Sequence, residues 1–397
     1  MKKSAQFLLT AVASMVVGIG IGWLGHTVSL PSAPIFEFVE NVELGGYTLQ
    51  SVQLNGNTKI TIPSEYNREA VVEIAVGRWG TGAEHRNLEE VIIPSNVKVI
   101  GNSFVSCISL KEISLPNSVT TIGSNAFEYC ENLERVYFGK NVSVLGADTF
   151  KNASSIKEFS VHKDNPYFRS LHGNLYSLNG DGELEGLVRY AIGKTETSFA
   201  LPEGLSQIKQ YAFKDCNLQE IILPDSLTDG DFTGCELLTK IDLPKGLKSA
   251  DFTACKSLTK LELFEGMRSV NFTDCEKLQS VSLPSSLQSL PRFKNCKSLE
   301  MVAIPDNITM IPSWSFSGCY SLKNITIPKR ITYIGFNAFN GCDALTSVVF
   351  ENTAYWVAEP TASGDPISFT KAQLSDSQLA ASYLKQYLFY EWKQQVE

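Results

Sequence analysis

Histidine is scarce: only His26, His85, His162 and His172 occur in 397 residues, and the one close pair, His162 and His172, fits no ligand spacing. Metal centres and histidine-driven acid–base catalysis therefore have little to build on. No cysteine precedes Cys107, which excludes a lipid-anchored N-terminal cysteine, and none of the cysteines forms a Cys-x-x-Cys pair of the kind that holds zinc. Gly193-Lys194-Thr195 has the end of a phosphate loop, but Val188 stands where that loop needs glycine. Asn179-Gly180-Asp181-Gly182-Glu183 offers oxygen ligands without the spacing or terminal acid of a calcium loop, and reads as a plain turn. There is no nucleophile elbow, zinc-protease signature or paired-carboxylate pattern, so the sequence indicates no enzyme and no cofactor or metal. A net charge of −8 with no basic cluster argues against nucleic acid and against polybasic membrane attachment. After residue 30 no apolar run is long enough to span a bilayer.

What the chain does contain is a period. Phe104, Phe127, Phe150, Phe213, Phe232, Phe252, Phe272, Phe293, Phe316 and Phe339 recur about every twenty residues, each three residues before a small side chain. Nine of those partners are Cys107, Cys130, Cys216, Cys235, Cys255, Cys275, Cys296, Cys319 and Cys342, all the cysteines there are, and the tenth is Ala153. Interchange with alanine marks the cysteines as a column of small, buried, reduced side chains rather than a disulfide framework. A fixed period of this size signals a solenoid in which each repeat buries its apolar face against its neighbours.

Aligned on Phe-x-x-Cys, the repeat reads L-x-x-[IV]-x-[IL]-P-x-x-[VIL]-x-x-[IL]-G-x-x-A-F-x-x-C. The alternating pairs, such as Ile113 with Leu115 and Ile325 with Ile327, predict a short strand with one face buried. Pro116, Pro244 and Pro328 end such strands, since proline cannot donate to a ladder. Equal strands in successive turns must be parallel, about 4.8 Å apart. The second apolar pair, Val119 with Ile122 for example, predicts another short strand on the opposite wall, and the Ala-Phe-x-x-Cys segment a tight turn pointing Phe and Cys inward. Burial of each Phe contributes up to about 1.5–3 kcal/mol.

The repeat, as in 110–130 (LKEISLPNSVTTIGSNAFEYC) and 322–342 (LKNITIPKRITYIGFNAFNGC), resembles the leucine-rich repeat of the BspA-like bacterial surface-antigen family over roughly residues 46–397. The resemblance implies a β-rich solenoid, a right-handed coil with a parallel sheet on one wall, a β-hairpin insertion and a C-terminal capping helix. It also implies adhesion to host proteins or to other bacteria.

The expected organisation begins with residues 1–30, where Met-Lys-Lys precedes an apolar run from Phe7 to Leu24: either a cleaved signal peptide or an uncleaved signal anchor. A linker over 31–45 and a degenerate N-terminal capping rung over 46–87 follow. The solenoid runs over 88–355 with a hairpin insertion at about 162–196, and a C-terminal cap over 356–397 centres on an amphipathic helix from Ser375 to about Gln395. Between residues 218 and 296 the repeat shortens from 23 to 20 or 21 residues, the loss lying in the arc opposite the strand.

Function is expected on the solvent side of the strands. There Arg135 and Tyr137 form one candidate patch, Tyr137 being the main aromatic. Lys240 with Lys260 and Asp242 with Glu262 form two like-charge columns, mildly unfavourable as they stand. The sequence thus predicts an exported, non-enzymatic scaffold at the cell surface, anchored to the membrane or secreted, that binds protein and touches membrane only through its N-terminal segment. A glycan-binding module and a periplasmic envelope-organising scaffold are the alternatives.

Overall fold

The computed structural model describes residues 32–79, 83–146 and 148–395. The expected signal segment, residues 1–30, lies outside them. The chain divides into two compact units, residues 1–182 and 183–397, with the boundary inside the expected insertion. Each is a β-solenoid built from short parallel strands.

In the first unit one wall is a sheet in which Gly46–Gln53, Glu69–Trp79, Val99–Ile100, Thr121–Ile122 and Val144–Leu145 lie side by side in parallel. Ile35–Asn41 covers its edge, antiparallel to Gly46–Gln53. These residues correct the expected linker over 31–45. The alternation of Ile-Phe-Glu-Phe suits a half-buried strand, and Phe38 stacks on Tyr66 at 4.7 Å between ring centres. Gly46 makes the close turn possible: a Cβ there would sit 2.4 Å from the Ala70 carbonyl oxygen. On the other wall Lys59–Thr61 pairs with Glu90–Ile92, while Glu112–Ser114, Arg135–Phe138 and Glu158–Val161 form a second parallel ladder.

The hairpin of the insertion is Phe168–Leu171 against Asn174–Leu178, turning through His172 and Gly173 at φ 50° and 74°. Buried Asn165 fastens it: its amide donates to the Gly139 and Val142 carbonyls, and its oxygen accepts from the Tyr167 and Phe168 amides. The insertion is shorter than expected. Leu184–Arg189 is already a wall strand of the second unit, parallel to Gln207–Ile208.

In the second unit that wall continues through Asp229–Asp231, Ser249–Asp251 and Ser269–Asn271. The facing strands are Ser198–Ala200, Glu220–Ile222 and Lys240–Asp242, then Lys260–Leu261, Ser280–Val281 and Met301–Val302, then Asn324–Ile327 and Ser347–Phe350.

The shortened repeats have a visible cause. Long arcs enter the Phe corner through a left-handed residue two positions earlier, at Asn125, Asp148, Tyr211, Trp314 and Asn337. Short arcs omit it. Instead Asp231, Asp251 and Asn271 end the wall strand and accept the backbone N–H of Thr233, Thr253 and Thr273 at 3.0, 2.8 and 3.1 Å. This side-chain turn carries the chain straight into the corner.

The corners point inward as the period predicts. Phe104, Phe127 and Phe150 stack at 5.4 and 5.6 Å in the first unit. Phe232, Phe252, Phe272, Phe293, Phe316 and Phe339 form a column of their own at 5.0–5.8 Å in the second. All nine cysteines are buried and unpaired by disulfides. The residue before each of them, and before Ala153, is left-handed: Ser106, Tyr129, Asn152, Asp215, Gly234, Ala254, Asp274, Asn295, Gly318 and Gly341. That explains why Asn, Asp and Gly recur there.

The C-terminal cap differs from the single helix expected over 375–395. Thr370 and Gln373 form a capping box on a short helix, Lys371–Ser375; Asp376, not Ser375, then caps a second helix, Ser377–Gln386. The chain finishes as a strand, Tyr390–Gln394, antiparallel to Tyr333–Ile334 and to Trp356–Pro360. Leu384 and Trp392 are both buried at a separation that also fits helical period, whereas Trp392 between half-exposed Glu391 and Lys393 follows the strand alternation that prevails.

Candidate functional site

Every facing strand places its hydrophobic residue inward and its flanking residues outward, as Glu112 and Ser114 flank Ile113 and Lys240 and Asp242 flank Ile241. In the first unit the outward residues make two columns. Lys59, Glu90, Glu112, Arg135 and Glu158 carry charge; Thr61, Ile92, Ser114, Tyr137 and Ser160 carry hydroxyl and apolar groups. Arg135 lies between Glu112 and Glu158 in the ladder and donates to Glu112 through Nη2 at 2.7 Å and Nε at 3.2 Å. The Glu112 carboxylate holds the Arg135 pKa above its ordinary value. Tyr137, on the same strand, is 37% exposed, and Ile92 is 52% exposed. Arg135, Tyr137, Ile92, Ser114 and Ser160 line one depression of about 470 Å³.

In the second unit Lys240, Asp242, Lys260, Glu262, Ser280 and Ser282 surround a depression of about 400 Å³. All four charged candidates are exposed. Lys240 is also bound to Glu220 of the preceding rung, whose carboxylate raises the lysine pKa. Both depressions open where, among the described residues, the strand ladder is interrupted: between Glu90–Ile92 and Glu112–Ser114, and between Lys240–Asp242 and Lys260–Leu261. At both interruptions like charges occupy equivalent positions, Glu90 and Glu112 in one and Lys240 and Lys260 in the other. On the opposite wall Asp229–Asp231, Ser249–Asp251 and Ser269–Asn271 stay in register, so the second depression is an opening of one wall only.

The rungs are joined by ion pairs between successive repeats, such as Lys157 with Glu134, Lys256 with Glu236, Lys297 with Glu276 and Lys323 with Glu300 at 2.6–2.9 Å. Opposite charges 20–23 residues apart were the available signal for these pairs. Exposed pairs of this kind contribute about 0–1 kcal/mol each.

The cysteines are more than the small hydrophobes that the repeat pattern predicts. The thiols also donate: Cys130 Sγ to the Phe104 carbonyl at 3.0 Å, and Cys275, Cys296, Cys319 and Cys342 to Phe252, Phe272, Phe293 and Phe316 at 3.1 Å. Each such carbonyl also accepts the amide N–H of the cysteine in its own corner, as Phe316 does from Cys319. A weak S–H donor thus ties each corner to the one before it, which alanine cannot do. Burial pushes the Cys130 and Cys342 thiols up to about 12. Cys216 moves the other way, because the Cys235 thiol donates to it.

Among the described residues no group of three or more His, Cys, Asp and Glu could hold a metal ion, and no helix is long and apolar enough to cross a membrane.

A profile of the BspA type leucine-rich repeat region matches in six copies, over residues 83–172, 193–291 and 251–361, more than half of the chain. No curated protein matches. A solved leucine-rich repeat protein from Eubacterium ventriosum is similar at 20% identity and a TM-score of 0.55, covering 83% of this chain and 95% of that one. One from Bacteroides ovatus aligns at 24% identity and a TM-score of 0.46, covering 79% and 92%. The pneumococcal vaccine antigen PcpA aligns at 20% and 0.46, covering 74% and 91%. At these identities the solved structures speak to fold alone. The repeat profile, matching where the Phe–Cys corners stack, shows that this chain belongs to the BspA-type leucine-rich repeat family.

Proposed function

We propose that this protein is a non-enzymatic, exported scaffold that binds other proteins through the outward face of its strands, at the bacterial cell surface. The observation that carries this reading is the pair of depressions on that face, each lined by charged and hydroxyl side chains with the apolar core sealed beneath. Arg135 and Tyr137 supply the residue types that anchor protein interfaces, an aromatic and a guanidinium side by side on one rung. The buried thiols and the repetitive corners serve the scaffold. The N-terminal apolar segment serves export, either as a retained membrane anchor or as a removed signal.

The test combines location and binding. Protease shaving of intact cells should remove the protein; survival in cells with an intact envelope would count instead for the envelope-organising alternative. The purified protein should bind one or more members of an immobilised panel of host matrix proteins, and Arg135→Ala/Tyr137→Ala should weaken that binding at least tenfold, about 1.4 kcal/mol. Binding to a glycan array and to no matrix protein would overturn the protein-binding reading.

A further inference from the structure

The depression of the second unit has an ordered charge pattern that specifies more than a general binding face. Lys240 and Lys260 occupy one outward position of successive repeats, and Asp242 and Glu262 the position two residues on. Asp242, Glu262 and Lys260 stand outside every ion pair of the described residues, whereas Lys240 already holds Glu220. A cationic row therefore runs beside an anionic row across two rungs, at the point where the ladder between those rungs is open.

We propose that this depression binds an extended segment of a partner protein carrying one acidic and one basic side chain two residues apart. The inference rests on the strand face being the binding surface. A segment lying along the strands repeats their spacing, about 6.7 Å between side chains on one face. Its carboxylate then lies over the lysines when its guanidinium or ammonium lies over Asp242 and Glu262. Each row spans two successive rungs, so one planar guanidinium can face both carboxylates and one carboxylate both ammonium groups. The bound charges would relieve the repulsion within each row. Ser280 and Ser282, on the next rung, extend the floor with hydroxyl groups that can satisfy the segment's polar backbone. An acid-first order fits a segment parallel to the strands, a base-first order an antiparallel one.

Selection of a random dodecapeptide library on the immobilised protein, followed by fluorescence anisotropy with the resynthesised peptides, tests the proposal. Enriched peptides should carry an acid and a base at i and i+2. Their affinity should fall at least about tenfold with Asp242→Asn/Glu262→Gln and with Lys260→Gln, and should weaken as salt is raised. Circular dichroism of these exposed-site variants confirms that they remain folded. Peptides that lack the spacing, or that bind the variants unchanged, overturn the proposal. If those peptides instead lose affinity for Arg135→Ala/Tyr137→Ala, the strand face survives as the binding surface while this assignment fails. If no peptide binds, the proposal fails, and binding of matrix proteins alone then decides the broader reading. A dimer in sedimentation that the Asp242→Asn/Glu262→Gln variant abolishes assigns the face to a second copy and also overturns it.

Discussion

Raising the pH should unfold this protein through its thiols. Burial moves the Cys130 and Cys342 thiols from 9.0 to about 12, so the folded state keeps their protons where an unfolded chain has released them. The stability this represents is fully present below pH 9.0, the unfolded value, and is lost as pH rises from there toward 12. Each pH unit in that window removes about 1.4 kcal/mol per thiol. At a pH of about 10.5 each thiol should therefore have cost about 2 kcal/mol relative to a pH of about 8. Burial raises Cys107, Cys235, Cys275, Cys296 and Cys319 in the same direction, so the protein as a whole should weaken steeply. Urea unfolding followed by circular dichroism under reducing conditions, at both pH values, isolates one thiol when Cys130→Ala or Cys342→Ala is compared with the parent. Titration of lysines and of buried Tyr176 is common to both proteins and cancels. Each variant should lose about 2 kcal/mol less than the parent on going to the higher pH. Equal losses in parent and variants would refute the reasoning, because the thiols would then ionise alike in both states.

The donor role of the thiols makes a second prediction: Cys319→Ala, which removes the 3.1 Å contact to the Phe293 carbonyl, should destabilise by about 1–2 kcal/mol in chemical denaturation. Titration with a thiol reagent should find the native thiols slow and all nine available after unfolding; mass spectrometry of partly alkylated protein should find Cys216 modified first, since its pKa is held below the ordinary value. Ala254 sits at φ 60° in the corner position that elsewhere favours Gly, Asn or Asp, so Ala254→Gly should stabilise by up to about 1 kcal/mol in the same assay.

The stacking of turns, the parallel strands and the inward Phe–Cys corners were legible in the residues, because a repeat that buries one face only against its own copies must show that face at a fixed period. The outward candidates were legible for the same reason: Arg135, Tyr137, Lys240, Asp242, Lys260 and Glu262 alternate with buried positions. The places where the regular pattern lapses were less legible. The strand Ile35–Asn41 carries no repeat signature, since it closes an edge rather than adding a turn. Trp392 satisfies helical and strand period alike, and pairing with Tyr333–Ile334 settled the matter.

Sequence alone determined that this chain coils, because the period dictates which side chains each turn shares with the next. Only the tertiary structure decided what adjacency does to those side chains. The ladder between two rungs is interrupted where a depression opens, a cysteine finds the carbonyl of the corner before it, and an aspartate replaces three residues of arc with one hydrogen-bonded turn. Each depends on distances between rungs, and a linear pattern records which residues recur but not how far apart folding leaves them.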